Sequence, residues 1–205
     1  MKKIITIGRQ FGSGGRSIGK MLAKELDVPF YDKDLITRAA KESGFCEELI
    51  ESHDERPTNS FLYNLVMDTY SFGYNATGLV DMPISQKVFL AQFNTIRKIA
   101  EEGPCVIVGR CADYALDQNP DHISVFISAD MEFRKKRIME SRGLSEGKAQ
   151  DLIVRKDKQR QSYYNYYSSK RWGMCDTYDI AVTSSVLGIE GTVQFLKHFV
   201  EACDQ

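Results

Sequence analysis

Glycines and two polar residues near the start of the chain have the types and spacing of a phosphate-binding loop. Gly12, Gly14 and Gly15 follow a β-branched run, and Arg16 and Ser17 come directly after them. Glycines let consecutive backbone N–H groups point at one anion, because no Cβ blocks the approach. A helix that begins here adds unpaired N–H groups and the positive end of its dipole. The segment therefore predicts a site for a phosphate group.

The loop matches part of the P-loop pattern G-x-x-x-x-G-K-[ST], in which lysine contacts the β- and γ-phosphates and a hydroxyl binds Mg²⁺. With Gly15-Arg16-Ser17 at the end of this pattern, Gln10 stands at the first glycine and Arg16 at the lysine. Arginine keeps the positive charge but is a planar fork. A plain tight turn is the alternative interpretation. The residues predicted to bind the nucleotide are Gly12, Ser13, Gly14, Gly15, Arg16 and Ser17, with Ser17 also as the metal ligand.

A second class of ligand fits part of the same segment. Gly12-Ser13-Gly14 begins the G-x-G-x-x-G pattern of dinucleotide-binding loops, and Asp32 lies twenty residues after Gly12, at the distance of a ribose-binding acid. Ser17 stands at the third glycine, where close packing of helix on strand disfavours a side chain. An NAD-binding oxidoreductase is therefore an alternative with less support than phosphate binding.

The composition bounds the class of protein. The chain has 205 residues, of which 42% are hydrophobic and 27% charged, and these values are typical of a soluble globular domain. The apolar runs are too short to cross a bilayer, and the first residues lead into a strand rather than a signal peptide. Five cysteines without a C-x-x-C pair predict neither a disulfide framework nor a zinc site. We expect a cytoplasmic protein with no membrane partner.

Positive charge is concentrated in one segment. Residues 134–171 contain twelve Lys or Arg and four acids, a balance of +8, so the rest of the chain carries −9 to give the net charge of −1. A polyphosphate ligand would explain this segment, and nucleic acid is the weaker explanation. Aromatic residues in the segment could stack a base, pack the segment itself or form a subunit contact of a homo-oligomer. They are Tyr163, Tyr164, Tyr166, Tyr167 and Trp172.

Hydrophobic patterns predict alternating strands and helices. The strands are expected at residues 4–7, 29–31, 105–109, 123–128 and 179–183. Beyond the helix that follows the glycine loop, helices are expected at residues 35–43, 85–102, 131–142 and 189–203. This alternation indicates a doubly wound, parallel α/β sheet. Residues 44–102 and 142–176 are longer than a crossover needs, and they are expected to cover the carboxyl edge of the sheet, where α/β folds bind ligands.

In this order the segments resemble the P-loop nucleoside monophosphate kinases, and most closely the cytidylate kinase-like family. The glycine loop with residues 22–33 is similar to the opening of that family, and Val108-Gly109-Arg110 is similar to its D-G-R-D segment. Residues 129–137 resemble its A-S-x-E-x-R-x-x-R helix, and residues 155–160 resemble the R-x-D-x-x-R of its lid. The resemblance covers essentially the whole chain.

This resemblance implies a three-layer α/β P-loop kinase fold, with a five-stranded parallel sheet, helices on both faces, and a helical insertion and lid. It implies one kinase-like domain over residues 1–205. The core would comprise residues 1–43, 103–141 and 177–205, the acceptor-binding insertion residues 44–102, and the lid residues 142–176.

The implied activity is ATP- and Mg²⁺-dependent transfer of the γ-phosphoryl group to a small acceptor, expected to be a nucleoside monophosphate such as CMP. Phosphoryl transfer requires the protein mainly to position substrates and neutralise charge. The residues expected to bind the acceptor are Asp32, Arg38 and Arg110. The residues expected to act on the transferred group are Arg16, Arg134, Arg155 and Arg160.

The chain departs from the family pattern at three places. When the two are aligned through the helix, Gly15 stands opposite the catalytic lysine and Arg16 is displaced by one residue. Val108 replaces the Asp of D-G-R-D, and Lys33-Asp34 replaces the Thr-Gly of the acceptor segment. These departures leave the acceptor open, and they make a non-catalytic nucleotide sensor on the same fold the second hypothesis.

Overall fold

A parallel sheet of five strands forms the centre of the molecule, in a computed structural model that describes residues 3–55 and 82–204. The strands are β1 Ile4–Arg9, β2 Phe30–Tyr31, β3 Val106–Val108, β4 His122–Ser128 and β5 Ile180–Thr183. Their order is β2-β3-β1-β4-β5, and each neighbouring pair is parallel. The three central strands are the apolar runs, as expected for strands covered on both faces. The predicted α/β fold and its five parallel strands are confirmed.

Eight helices connect and cover these strands within the described residues. They are α1 Gly15–Glu25, α2 Lys33–Ser43, α3 Glu47–His53, α4 Ile84–Glu101, α5 Ala112–Ala115, α6 Met131–Arg142, α7 Glu146–Tyr167 and α8 Ser184–Cys203. Helix α8 begins five residues before the predicted start. It bends at Gly188, where φ is +69° and ψ is 178°. The part after this bend is the helix that the sequence pattern predicts.

Alternating residues of β1 contact helices on opposite faces of the sheet. Ile5 and Ile7 pack with helices α1 and α8, whereas Ile4 packs with α4 and α5 on the other face. Successive side chains of a strand point to opposite faces, so one strand can hold both layers. The molecule is therefore a three-layer α/β structure in which α1 and α8 lie on one face.

An aromatic cluster attaches helix α7 to the rest of the domain. Tyr163, Tyr164 and Tyr167 are buried in it, and the ring of Tyr167 stacks on Phe89 of α4 with centroids 4.0 Å apart. Rings buried in this way have no free face for a nucleotide base. Of the three interpretations of these tyrosines, the structure shows packing of the segment itself.

The predicted insertion over residues 44–102 is described in part. Its described portions form α3 and α4, and α4 packs against α2. Residues 56–81 lie outside the described residues. Among the residues that are described, no helix combines the length and the apolar character needed to cross a bilayer, and no cluster of three metal-ligating side chains occurs.

Candidate active site

The glycine loop joins β1 to α1 at the carboxyl edge of the sheet. Gly12 and Gly14 have φ values of +85° and +83°, and a Cβ on Gly14 would lie 2.3 Å from Ile189 Cδ1. Helix α1 begins directly after Gly14 with no side-chain cap and no acidic residue in its first turn. The first N–H groups of a helix have no acceptor within the helix. The loop therefore presents free amides and a positive helix end, the features of an anion site.

Two neighbouring elements hold the loop in this conformation. The Gln10 N–H donates to the carbonyl of Ile127 at 3.0 Å, and Gln10 Oε1 accepts from the Ala129 N–H at 3.1 Å. The Ser184 hydroxyl at the start of α8 is fully buried and donates to the Ser13 carbonyl at 2.6 Å. Gln10, which stands at the first glycine of the P-loop pattern, thus attaches the loop to the end of β4.

A third attachment comes from α6 and α7. Asp157 Oδ1 accepts from the Phe11 N–H at 2.7 Å, and its Oδ2 pairs with Arg134 Nη1. The Arg134 side chain is only 7% exposed. The structure therefore places Arg134 behind the loop, where it supports Asp157, rather than in the cleft in front of it.

The loop opens into a cleft of about 400 Å³. At one side, which we call the loop end, the walls are the loop itself and the cations Arg16, Arg137 and Arg142. At the other side, which we call the carboxylate end, the walls carry four acidic side chains near Arg110, and Arg9 and Arg160 pair with one of these acids. The acidic residues are Asp32, Glu51, Asp54 and Glu55.

Arginines surround the ring of Phe11 at the loop end. The guanidinium carbons of Arg142 and Arg160 lie 5.3 Å and 5.5 Å from its centroid. Arg137 contacts the ring of Phe133 in the same way, at 5.8 Å. An aromatic ring orients a guanidinium without neutralising its charge. Arg137 and Arg142 thus keep their charge for an anion.

Arg16 lies at the boundary of the two ends. Its side chain is 62% exposed, and Nε donates to Asp32 Oδ2. Ser17, the next residue, is exposed and lines the same cleft. Burial alone would raise the pKa of Asp32, but the hydrogen bond from Arg16 and the charge of Arg110 lower it. Asp32 is therefore an ionised carboxylate next to the loop.

Arg110 is the centre of the carboxylate end. Its Nε and Nη2 donate to the two carboxylate oxygens of Asp54 at 2.9 Å and 2.8 Å, and its Nη1 lies 3.3 Å from Asp32 Oδ1. Its side chain is 4% exposed. Arg110 and Cys111 both have left-handed backbone angles, with φ of +56° and +53°. Non-glycine residues adopt this region at a cost, which is typical of functional positions.

Glu55 connects this cluster to β1 and α7. Its carboxylate lies 2.7 Å from Arg9 Nη1 and 3.3 Å from Arg160 Nε, and it accepts from the Arg110 N–H. Burial alone would raise the pKa of Glu55, but the charges of Arg9, Arg160 and Arg110 lower it well below its usual range. Arg160, predicted to act on the transferred group, reaches the cleft but is already paired with this carboxylate.

The sequence profile of the cytidylate kinase-like family matches residues 4–186. The chain belongs to this family. Among solved structures, an uncharacterized protein from Eubacterium ventriosum ATCC 27560 is 31% identical, with a TM-score of 0.71 over 98% of this chain and 99% of that one. A comparison with curated proteins returned no match.

Two more distant structures show the fold that this family member shares. Shikimate kinase from Bacteroides thetaiotaomicron is 16% identical, with a TM-score of 0.57 over 98% of this chain and 99% of that one. Shikimate kinase from Acinetobacter baumannii, in complex with shikimate, is 12% identical, with a TM-score of 0.52 over 98% and 94%. The fold of this chain is thus that of the P-loop kinases.

Two residues that the family resemblance assigns to the site lie elsewhere. Arg38 of α2 donates to Glu42 at 2.9 Å and to Glu102 at 2.8 Å, and Glu102 lies just before the amino end of β3. Arg155 is exposed on α7. Among the described residues that line the cleft, neither of these two arginines occurs, nor does Arg134.

Other site residues were not predicted from the sequence. Arg9 and Glu55 have no counterpart in the quoted motifs. Arg142 is the last residue of α6, a helix rich in charged residues that could equally face solvent. Arg137 was available as the second arginine of the family's A-S-x-E-x-R-x-x-R helix, three residues after Arg134. That spacing put both arginines on one face of the helix, but Arg134 is buried against Asp157 and Arg137 faces the cleft.

Acidic partners pair with four cations of the basic segment. Lys135 pairs with Glu146 at 2.5 Å, and Lys170 pairs with Asp117 at 2.6 Å. Arg134 and Arg160 pair with Asp157 and Glu55, as described above. Four of the twelve Lys and Arg residues thus pair within the domain. Arg137 and Arg142 line the cleft at the loop end, and other cations of the segment are exposed: Lys136, Lys148, Arg155, Lys158 and Arg171.

Proposed function

We propose that this protein transfers the γ-phosphoryl group of ATP to a small-molecule acceptor, with Mg²⁺ as the metal. The observation that carries the proposal is the loop end of the cleft, where an uncapped helix start opens between arginines. Membership of the cytidylate kinase-like family and the P-loop kinase fold support it. A nucleoside triphosphate can accept hydrogen bonds from the loop amides and pair with the surrounding positive charge.

The residues that line the loop end fit the triphosphate and the metal. The amides of Gly12 and of Gly14 to Ser17 would bind the phosphate oxygens, whereas Ser13 is buried and its N–H donates to the Gln10 carbonyl at 3.4 Å. The exposed Ser17 hydroxyl would be a ligand of Mg²⁺ together with water. Bound Mg²⁺ supplies charge neutralisation to the phosphates. Arg137 and Arg142 would contact the phosphates from the side of α6. Arg16 would join them after leaving Asp32, because its exposed side chain is free to turn.

The carboxylate end would hold the acceptor beside the transferred group. Asp32 and Arg110, for which the family resemblance predicts acceptor binding, line this end of the cleft. The family resemblance leads us to include nucleoside monophosphates such as CMP among the acceptors to be tested. We keep the division into core, insertion over residues 44–102 and lid over residues 142–176 as part of this proposal, and a homo-oligomer as an open prediction.

Calorimetry with Mg²⁺-ATP tests the donor site directly. We expect saturable binding, and we expect Arg137→Ala to lower the affinity by about tenfold, the effect of losing one charge-assisted contact. Lys136→Ala is the matched control, since Lys136 is the exposed neighbour on the same helix. Failure of the wild-type protein to bind ATP would remove the proposal, and equal effects of the two variants would remove the assigned site.

A non-catalytic nucleotide sensor is the second candidate function. Arg16, the residue nearest to the position of the P-loop lysine, is paired with Asp32 in the structure, and this pairing favours the sensor. A coupled assay of ADP release separates the two functions. Tight ATP binding without turnover in the presence of any acceptor class would support the sensor, whereas acceptor-dependent ADP release supports the enzyme.

The strand order separates this protein from the dinucleotide-binding fold. In this sheet β3 lies between β2 and β1, whereas the Rossmann order 3-2-1-4-5-6 places the second strand next to the first. The NAD-binding alternative therefore loses its structural support. A thermal-shift comparison in which ATP raises the melting temperature and NAD does not would agree with this assignment.

A further inference from the structure

Among the described residues, the carboxylate end of the cleft has little unpaired positive charge to offer an anionic acceptor. A nucleoside monophosphate brings a phosphate dianion, and the family resemblance assigns Arg38 and Arg110 to it. Arg38 does not line the described part of the cleft, because it is held by Glu42 and Glu102 near the amino end of β3. Arg38 thus lies near the amino edge of the sheet, whereas the phosphoryl group would be transferred at the carboxyl edge.

The second arginine, Arg110, is already neutralised. A guanidinium has five N–H donors. Asp54 takes two of them, Asp32 takes a third, and the carbonyl of Val108 takes a fourth at 3.3 Å. A phosphate that captured Arg110 would have to displace two carboxylates from a buried cation. Leaving such carboxylates buried and unpaired is strongly unfavourable.

Among the described residues, the polar wall of this end carries no net positive charge. Asp32, Glu51, Asp54 and Glu55 line it together with Lys33 and with three arginines that pair with these carboxylates: Arg9, Arg110 and Arg160. Carboxylates repel a phosphate but accept hydrogen bonds from hydroxyl groups. The charges of the two ends are therefore suited to different substrates, the loop end to a polyphosphate and the carboxylate end to a polar compound with hydroxyl groups.

We propose that the acceptor is a small hydroxyl compound without a phosphate group, and that Asp32 is the catalytic base that takes the hydroxyl proton. This inference rests on the proposed function. Asp32 is placed for this role because it lies between Arg110 and the loop, with one oxygen on each side. When ATP draws Arg16 to its phosphates, Asp32 Oδ2 becomes free to accept a hydrogen bond from the acceptor.

The chemical step then balances without another reactant. The acceptor oxygen forms a bond to the γ-phosphorus, and the bond between that phosphorus and the β–γ bridging oxygen breaks. ADP leaves with the electron pair of the broken bond, and the hydroxyl proton passes to the Asp32 carboxylate. The products are a phosphate monoester, ADP and a proton that is later released to solvent. Arg110 keeps Asp32 in place throughout, because it contacts the other oxygen.

Two acceptor panels test the inference in a coupled assay of ADP release. One panel contains glycerol, myo-inositol, gluconate, shikimate and serine, and the other contains AMP, CMP, GMP and UMP. We expect ADP release above the basal rate with a member of the hydroxyl panel, and a phosphate monoester as product in ³¹P NMR. Formation of a nucleoside diphosphate, or no acceptor-dependent release from the hydroxyl panel, would overturn the inference.

Variants of Asp32 test the role of the base. Asp32→Asn is expected to lower kcat with the active hydroxyl acceptor by about 100-fold or more, the usual contribution of a general base. The affinity for Mg²⁺-ATP should stay within about threefold. Asp34→Asn, an exposed neighbour on α2, is the control and should leave both values unchanged. If Asp32→Asn does not fold, Asp32→Glu keeps the charge opposite Arg110 while displacing the carboxylate, and it should also lower kcat.

These outcomes separate the inference from the proposed function. If wild-type protein does not bind ATP, the proposed function fails and the inference fails with it. If it binds ATP and phosphorylates a nucleoside monophosphate, the enzyme proposal stands and the hydroxyl acceptor is wrong. If a hydroxyl acceptor is phosphorylated equally well by wild type and Asp32→Asn, the acceptor class stands and the base is wrong.

Discussion

The two ends of the cleft use arginine in opposite ways. At the loop end, Arg137 and Arg142 contact aromatic rings, so their charge is available to a ligand, and Arg16 is mostly exposed although it pairs with Asp32. At the carboxylate end, Arg110 is buried and its charge is balanced by Asp54 and Asp32. The comparison teaches that the number of arginines near a site does not measure its capacity for anions. The surrounding carboxylates and the depth of burial decide it.

The difference also separates ligand binding from stability. An exposed ion pair contributes little to folding because water competes for both charges. A buried pair holds its shape because removing either partner strands a charge in a medium of low polarity. We therefore expect substitutions at the carboxylate end to affect stability most, and substitutions at the loop end to affect nucleotide affinity.

The largest effect is expected from Arg110→Met. Loss of the guanidinium would leave Asp32 and Asp54 without their shared buried cation, so the free energy of unfolding should fall by about 3–5 kcal/mol. Urea denaturation followed by circular dichroism measures this change. Lys20→Met, at an exposed position of α1, is the control. A loss below about 1 kcal/mol, as for an exposed pair, would show that Arg110 is available to ligands after all.

A second effect is expected where α7 holds the loop. Asp157→Asn keeps an oxygen for the Phe11 N–H but removes the charge opposite buried Arg134, so stability should fall by about 1–3 kcal/mol. ATP affinity should fall as well, because the loop loses part of its support. Asp151→Asn is an exposed control on the same helix. Unchanged ATP affinity in a destabilised Asp157→Asn protein would mean that the loop is fixed by the other two attachments.

A third prediction concerns acid stability and a histidine outside the cleft. Burial lowers the pKa of His122 to about 4 from 6.5, in a site where its ring contacts the Thr6 hydroxyl at 2.7 Å. Asp179, Lys170 and Asp117 also act on this ring, with smaller effects. Between pH 6.5 and 4 the unfolded chain binds the proton more readily than the folded one. Stability contributed by neutral His122 is therefore present above pH 6.5 and lost as pH falls.

The expected loss is about 2 kcal/mol between pH 6.5 and 5, at 1.36 kcal/mol per pH unit. Urea denaturation across this range should show the slope in wild type and in His198→Asn, and a reduced slope in His122→Asn. The carboxylate end of the cleft should not contribute to this slope, because Asp32 and Glu55 have lowered pKa values and remain ionised between pH 6.5 and 5. An equal slope in His122→Asn would assign the loss to other groups.

The smallest effect on stability is expected at the boundary of the two ends. Arg16→Met removes a largely exposed partner of Asp32, so the free energy of unfolding should change by less than about 1 kcal/mol. ATP affinity should nevertheless fall by about tenfold, if Arg16 turns to the phosphates as proposed. Calorimetry and urea denaturation on the same preparation give both values. A large loss of stability with unchanged ATP affinity would show that Arg16 stabilises the fold, as residues of the carboxylate end do, and does not bind ATP.

Much of the fold could be predicted from local patterns. The five predicted strands are present, and the glycine loop before α1 has positive φ values at Gly12 and Gly14. Helix α7 was not predicted as one element, because its sequence is rich in charge and its apolar residues do not form a continuous stripe. Burial of Tyr163 and Tyr167 against α4 stabilises it instead, and such contacts between distant segments leave no local pattern.

The sequence could predict the type of candidate site, but not the positions of its individual arginines. The sequence indicated an anion site at residues 12–17, and all of these residues except the buried Ser13 line a cleft with Asp32 and Arg110. The sequence could not show which arginines face the cleft and which support the fold. Arg134 and Arg137 have the same charge and share a helical face, yet one supports Asp157 and the other faces the cleft. The roles assigned to all of these residues stay predictions until they are measured.

The sequence by itself determined the α/β architecture and the position of the phosphate loop, because strand formation, glycine conformation and helix starts depend on neighbouring residues. Only the tertiary structure decided which charges remain available. Glu55 is 46 residues from Arg9 and 105 residues from Arg160 along the chain, yet it pairs with both. Charges act through space with a strength that burial sets. The arrangement of this cleft therefore follows from folding, and not from the motif alone.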